Sequence, residues 1–289
     1  MYLYILGGIL FAIIVILIIL FYENRKLTVT EYSIDSKKVP REFHNTKIVL
    51  LSDLHNNCYG RNNKILIARI KAINPDIILI AGDMIVGKVG YDTKVAIDLL
   101  SELTKKYSVY YGNGNHEQRL GIYEQTKNTT YKVYIEKLKK MGVHLLTNEH
   151  VAIRRGNSSI TVTGLELHED FYKKINRPTM TKEYLNQLLG RPDKNKYQVL
   201  IAHNPMYFED YVNWGADLVV SGHVHGGMIR LPFVGGVISP QYQLFPKYDA
   251  GKFEKSGKHM ILSRGLGMHT IKIRFLNKPE LVVIHLKNQ

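Results

Sequence analysis

Five times along this 289-residue chain a short apolar run stops on a residue able to bind a metal. The runs are KIVLLSD, IILIAGD, VYYGNGNH, VLIAHN and LVVSGHVH, ending at Asp53, Asp83, His116, Asn204 and His225. Short unbroken stretches rich in Val, Ile and Leu read as strands buried on both faces. Between the first three lie NNKILIARIKAIN and TKVAIDLLSELTKK, whose apolar residues fall at helical spacing. Strand and helix therefore alternate, which argues for crossover units and largely parallel pairing. The polar residues cluster just past the C-terminal ends of the strands, where open α/β sheets carry their sites.

The second half is richer in strands. VAIRR and SITVTGLEL read as a hairpin turned at Gly156-Asn157, and HMILSRGLG and ELVVIHL close the chain. No internal repeat and no low-complexity tract interrupts this part. Hydrophobic residues make up 45% of the chain and charged residues 22%, ordinary values for a folded domain. The expectation is an α/β (α+β) fold, a four-layer αββα sandwich of two mixed sheets flanked by helices, occupying residues 45–289.

The first residues differ in kind. Tyr2 to Tyr22 reads YLYILGGILFAIIVILIILFY and contains no charge. A helix of that length, at ~1.5 Å per residue, matches a bilayer core of about 30 Å, and tyrosines stand at both ends where an interfacial belt is expected. A cleaved signal peptide fits less well: no basic start precedes the run, the run is long, and no small-x-small cleavage site follows. Residues 1–22 are thus expected to be a single-pass transmembrane anchor in the cell membrane, and 23–44 a juxtamembrane tether with a first strand. Arg25, Lys26, Lys37, Lys38 and Arg41 follow the run and no cation precedes it, a bias toward a cytoplasmic body. The formal charge of +14 favours anionic partners, whether acidic lipid, phosphorylated substrate or nucleic acid. Cys58 is the single cysteine, so no intrachain disulfide forms; it is expected to be a small buried apolar residue. Nothing here signals an oligomeric state.

Carboxylate, imidazole and amide oxygen together suit a borderline divalent ion such as Mn, Fe, Zn or Co, whereas a calcium site would recruit oxygens alone. The donors outnumber what one ion needs. Two ions need a bridging group, and an aspartate with two oxygens can serve. Two-metal sites lower the pKa of a shared water and clamp a phosphoryl group for in-line attack.

The motifs resemble those of the calcineurin-like metallophosphoesterases. Their pattern D-x-H, G-D, G-N-H-[DE], H, G-H-x-H stands here as Asp53-Leu54-His55, Gly82-Asp83, Gly114-Asn115-His116-Glu117, His203 and Gly222-His223-Val224-His225, in order. Within that family GHVHGGMIRLP and the SRGLG…RFLNKPELVVIHL tail look most like the membrane-associated YaeI/YkuE-like branch. Val224 and Met228 depart from the branch's usual Thr and Gln, which bears on substrate preference.

The resemblance implies a dinuclear-metal phosphoesterase. Asp53, His55 and His225 would hold one ion, Asn115, His203 and His223 the other, and Asp83 would bridge them. A metal-bridging hydroxide would be the nucleophile. His116 would not be a ligand; it would stabilise the phosphoryl oxygens or protonate the leaving group. Glu117 would orient His116 or sit as a solvated carboxylate. His168 is a candidate for the substrate cleft, and Arg61 and Arg264 for phosphate contacts. Trp214 and the tyrosines read as packing.

An anchored body favours a phosphodiester or pyrophosphate on a lipid-linked or cell-envelope substrate, since confinement at the bilayer raises effective concentration. One side relative hydrolyses the pyrophosphate of UDP-diacylglucosamine, which fits that direction. A scaffold or binding module that keeps the fold without activity is the alternative from another class, and loss of a ligand would mark it. A nuclease is the alternative within the enzymes; no nucleic-acid motif supports it.

Overall fold

The computed structural model describes residues 2–88, 90–124, 130–239, 242–268 and 273–289. Met1 of the expected anchor and His269 lie outside them. The chain opens with α1 (Tyr2–Glu23), exposed over most of its described length, with Glu23 buried at its end, and, with a mean hydropathy of 3.1 over Tyr4–Glu23, long and apolar enough to cross a membrane.

Two six-stranded sheets follow. The first contains β1 (Thr28–Asp35), β2 (Thr46–Leu51), β3 (Ile77–Ala81), β4 (Ser108–Gly112), β5 (His144–Leu145) and the last strand, β14 (Glu280–Lys287), in the order β1-β14-β2-β3-β4-β5. β2 to β5 run parallel, β14 runs against β2, and β1 runs parallel to β14. The second contains β6 (Glu149–Arg155), β7 (Ser158–Leu165), β8 (Tyr197–Ala202), β9 (Leu218–Ser221), β12 (Gly251–Lys255) and β13 (Lys258–Leu262), in the order β12-β13-β9-β8-β7-β6. Its central strands are parallel and its two edges antiparallel, with β6 and β7 joined by the turn at Gly156-Asn157. A separate hairpin of β10 (Ile229–Leu231) and β11 (Gly235–Ile238) stands apart.

Side-chain alternation builds the layers. In β2, Ile48 and Leu50 face the second sheet, meeting Val199, Ile201 and Val220 in the central core. Val49 and Leu51 face the other way, onto α2 (Lys64–Ile73), α3 (Lys94–Leu103) and α5 (Thr130–Lys140) through Leu66, Ile70, Leu99 and Leu138. β8 mirrors this: Leu200 and Ala202 point outward to α6 (Lys182–Leu189) and α7 (Phe208–Trp214), where Trp214 is buried. Strands covered on both faces must be apolar at every position, which is why they read as unbroken runs. The four-layer αββα sandwich expected from the sequence is what forms. α4 (Asn115–Glu124) begins directly after β4.

The segment after α1 belongs to this body. β1 is the edge strand of the first sheet, and Val39 and Phe43 are buried between the sheets. Lys38 pairs with buried Asp217 at 2.6 Å. Because β1 runs against β2, its first residue lies at the end of the sheet where β2, β3 and β4 finish. Thr28 pairs with Glu280, and Thr28 N–H donates to Pro279 O at 2.9 Å.

Candidate metal centre

All seven expected ligand positions and His116 converge at that end of the two sheets, and all are buried. Asp53 and His55 follow β2, Asp83 follows β3, Asn115 and His116 follow β4, His203 follows β8, and His223 and His225 follow β9. Asp83 stands in the middle. Its Oδ2 lies 3.1 Å from His203 Nε2, 3.8 Å from His55 Nε2 and 3.9 Å from His116 Nε2. Asp53 Oδ1 lies 3.6 Å from His225 Nε2, 3.9 Å from His203 Nε2 and 4.0 Å from His55 Nε2. Three groups have donor atoms within 4.8 Å of one another: Asp53 with His55 and His225, Asp83 with His203 and His223, and His55 with Asp83 and His116.

The loops reach this arrangement at a backbone cost. Asp53, His55, Asp83, His223 and His225 all have positive φ, between 46° and 76°. Left-handed backbone in non-glycine residues is costly, and it persists where the surroundings over-determine it. Close approach is enforced by two glycines. A Cβ on Gly114 would stand 2.2 Å from Asp83 Oδ1, and one on Gly222 2.3 Å from Asp53 Oδ2. The loops also bind each other: Asp53 N–H donates to Gly82 O, His55 N–H to Asp83 O, and His223 N–H to Asp53 Oδ1.

The ring nitrogens facing away from the cluster sort the histidines. His203 Nδ1 lies 2.6 Å from Ala81 O, and His225 Nδ1 3.0 Å from Gly267 O. A carbonyl only accepts, so each Nδ1 carries a proton and, in the neutral ring, Nε2 offers a lone pair to the cluster, as metal-binding imidazoles do. His116 is the reverse. Its Nδ1 accepts from Gly87 N–H at 2.9 Å, so the neutral ring presents an Nε2–H toward Asp83. His116 lies within reach of His55 and Asp83, yet its geometry makes it a donor rather than a ligand.

Burial and neighbouring charges shift the titration of the cluster. Burial pushes Asp53 up to about 6, reinforced by the Asp83 charge and opposed by His203. Burial works against the Asp83 carboxylate too, but His203, His116 and His55 outweigh it and hold Asp83 well below the usual carboxylate range. For His203, desolvation opposes the charged ring, while Asp83 and Asp53 raise it to about 9. Asn115 Oδ1 is buried without a hydrogen-bond donor. A buried carbonyl oxygen is rarely left unpaired, and one in a nest of carboxylates and imidazoles fits a divalent cation.

Glu117 plays neither role expected for it. It is fully buried, so it is not a solvated carboxylate, and its oxygens are taken up by backbone N–H groups and a tyrosine hydroxyl. Its Oε2 accepts from Asp83 N–H (2.8 Å) and Gly114 N–H (3.0 Å), and its Oε1 from Met84 N–H (2.8 Å) and the Tyr111 hydroxyl (2.7 Å). It therefore pins the loop after β3 to the loop after β4. Cys58 is exposed, not buried, with its thiol 3.0 Å from Gly60 O. The turn after Leu54 faces solvent at that position. His168 is exposed and pairs with Asp170 at 2.9 Å, and Arg61 is exposed on the turn before α2. Arg264 is taken up by Glu280 Oε1 at 3.0 Å.

Two residues not singled out in the sequence matter. The Tyr172 ring stacks edge-on to His223 with centroids 5.0 Å apart. Buried Arg274 donates to Arg264 O, Gly265 O and Gly267 O, holding the loop whose Gly267 carbonyl orients His225. Arg274 is pushed down to about 10 by burial.

A sandwich of two mixed sheets with carboxylates and imidazoles gathered at the strand ends is the framework of a metal-dependent hydrolase. The chain belongs to the calcineurin-like phosphoesterase family, whose model matches residues 46–227, well over half of it. It is similar to the uncharacterized metallophosphoesterase YkuE of Bacillus subtilis, 28% identical over 284 residues that cover 93% of this chain and 88% of that protein. It is similar to the phosphodiesterase YaeI of Escherichia coli, 27% identical over 244 residues, 83% of this chain and 82% of the other. A transmembrane protein with metallophosphoesterase domain from Danio rerio is 24% identical over 268 residues, 90% of this chain and 57% of that one.

Proposed function

We propose that this chain is a membrane-anchored, two-metal phosphoesterase that cleaves a phosphodiester or pyrophosphate bond on a lipid-linked or cell-envelope substrate. The observation that carries the reading is where α1 enters. It joins the body at the end of the first sheet that holds the metal cluster, through β1 paired at Thr28↔Glu280. A cavity of 330 Å³ lies between its last turn and the Gly267 loop, lined by Phe21, Arg25, Asn57, Leu266, Met268 and Arg274 among others. With α1 in a bilayer, the cluster faces the headgroups and an amphiphile reaches it without leaving the membrane. Residues 1–22 are then the single-pass anchor. Lys38 is spent within the body, and Arg25 and Lys26 remain at the membrane surface, a weak bias toward a cytoplasmic domain.

Asp53, His55 and His225 would hold one ion and Asn115, His203 and His223 the second, with Asp83 reaching both. Bound divalent ions such as Mn, Fe, Zn or Co supply an acidified water and draw charge from the phosphoryl oxygens. The Nε2–H of His116, which faces Asp83, would serve a phosphoryl or leaving-group oxygen as proton donor. The phosphoester class follows from the family; the lipid-linked substrate follows from the anchor. A scaffold without activity would not need all of these donors gathered and buried.

The test uses the full chain in mixed micelles with added manganese. Hydrolysis of a lipid-linked pyrophosphate and of a glycerophospholipid is compared with that of a soluble chromogenic diester. Turnover higher on a lipid-borne substrate, and lost for both in His116→Ala, is expected. A soluble diester cleaved faster than every lipid offered would contradict the membrane part of the reading.

A further inference from the structure

We infer that the β10–β11 hairpin is a second membrane contact, which dips its tip into the bilayer beside α1 and seats the metal cluster at headgroup depth. This rests on the reading of α1 as the anchor.

The tip is Leu231-Pro232-Phe233-Val234-Gly235, with no charge in it. Phe233 is fully exposed, Val234 is 56% exposed and Leu231 42%. Single exposed apolar residues are ordinary, but these are contiguous with others. Leu276 lines the same recess as the tip, and exposed Leu244 and Phe245 are tied to β11 by the Ile238–Leu244 bridge and by Phe245 N–H to Val237 O at 2.9 Å. A water-soluble surface has no use for such a rim.

Among the described residues, the charges at the hairpin base pair with each other. Asp249 accepts from Arg230 Nη1 at 2.9 Å and from Gly236 N–H at 2.7 Å, so its carboxylate is spent bracing the hairpin base. Lys174 lies over the exposed Tyr242 ring at 4.7 Å, and Arg25 over Phe21 at 3.9 Å. Cations beside aromatic rings suit the headgroup layer.

Continuity with α1 identifies the occupant as lipid. Arg230 N–H donates to Phe275 O and Phe275 N–H to Met228 O, so the strand pairing of the hairpin extends to residue 275. Three residues on, Lys278 pairs with Glu23, the last residue of α1, at 3.4 Å. Three residues span at most about 10 Å even when fully extended, so the hairpin base stands next to the point where α1 leaves the body. The hairpin also issues directly from the loop of His223 and His225, with Met228 N–H donating to Ile238 O at 2.7 Å. An amphipathic element of this kind settles roughly 5–10 Å into the headgroup boundary.

The test is depth-dependent quenching on the full chain. In a Cys58→Ser background, Phe233→Cys is labelled with an environment-sensitive fluorophore and reconstituted into phosphatidylcholine–phosphatidylglycerol vesicles containing shallow spin-labelled lipid. Val234→Cys is a second label site on the tip. Lys105→Cys, which precedes β4 at the opposite end of the sheet, is the reference. Blue-shifted emission quenched by the lipid at 233 and 234, with neither effect at 105, is expected. Co-flotation with vesicles while 233 and 234 remain solvent-like overturns the hairpin contact and leaves the anchor standing. Failure of the full chain to co-float overturns the anchor reading and the hairpin with it. A blue shift that appears without lipid and grows with protein concentration assigns the tip to a protein partner instead, and overturns the proposal.

Discussion

Glu117 shows what one buried side chain does here. Its two oxygens tie together the backbone after β3 and after β4, the loops that present Asp83 and Asn115. Glu117→Gln keeps the shape but turns an amide N–H₂ toward backbone donors. Leaving a buried donor unmade costs about 1–3 kcal/mol. The expected outcome is a urea midpoint lowered to match and reduced manganese occupancy of the purified protein; unchanged values for both would show that the carboxylate is a bystander. The donors of the cluster were legible in the sequence because each ends an apolar run within a short motif. The role of Glu117, and Tyr172 and Arg274 altogether, were not, for a physical reason. What Glu117 does depends on backbone N–H groups more than thirty residues earlier, and Arg274 acts on carbonyls presented by a loop that only the fold brings round it. The tautomer of His116 depends on Gly87, which no spacing rule connects to it.

At the scale of elements, buried strands and amphipathic helices announced themselves through periodicity, and the β6–β7 hairpin through its Gly-Asn turn. β1 was visible as a strand, but not that it would run against β2 and bring α1 to the cluster end; strand sense is set by β14, at the far end of the chain. Contacts between distant elements also carry the acid response. Glu209 at the start of α7 accepts from Lys247 at 2.6 Å and from Lys255 at the end of β12. These two ammonium groups hold Glu209 down to about 2, below the unfolded value of about 4.3. A depressed carboxyl stabilises the fold above its unfolded pKa and loses that contribution as pH falls through its folded one. Glu209→Gln is therefore expected to lower Tm slightly at pH 7, with the difference closing between about pH 5 and pH 2. A difference that persists undiminished at the acid end would place its origin elsewhere than the ion pairs.

On the scale of the molecule, three features lie at one end: the cluster at the finish of five parallel strands, the exit of α1, and the apolar hairpin. The strands put the donors there by the general logic of α/β sheets. β1, which runs against β2, puts the exit of α1 there. On the proposed reading of α1 as an anchor, the molecule is polar along the membrane normal, with the reaction expected at the side that faces lipid. All of this depends on the cluster holding two ions, and Asp83, which reaches both groups of donors, is the residue to remove. The measurement is metal content together with manganese-dependent hydrolysis of a chromogenic phosphodiester, for the full chain and for Asp83→Ala. Two ions per chain with turnover, both lost in the folded variant, is the expected result. Folded wild-type protein that binds no divalent metal and turns over nothing would contradict the two-metal phosphoesterase.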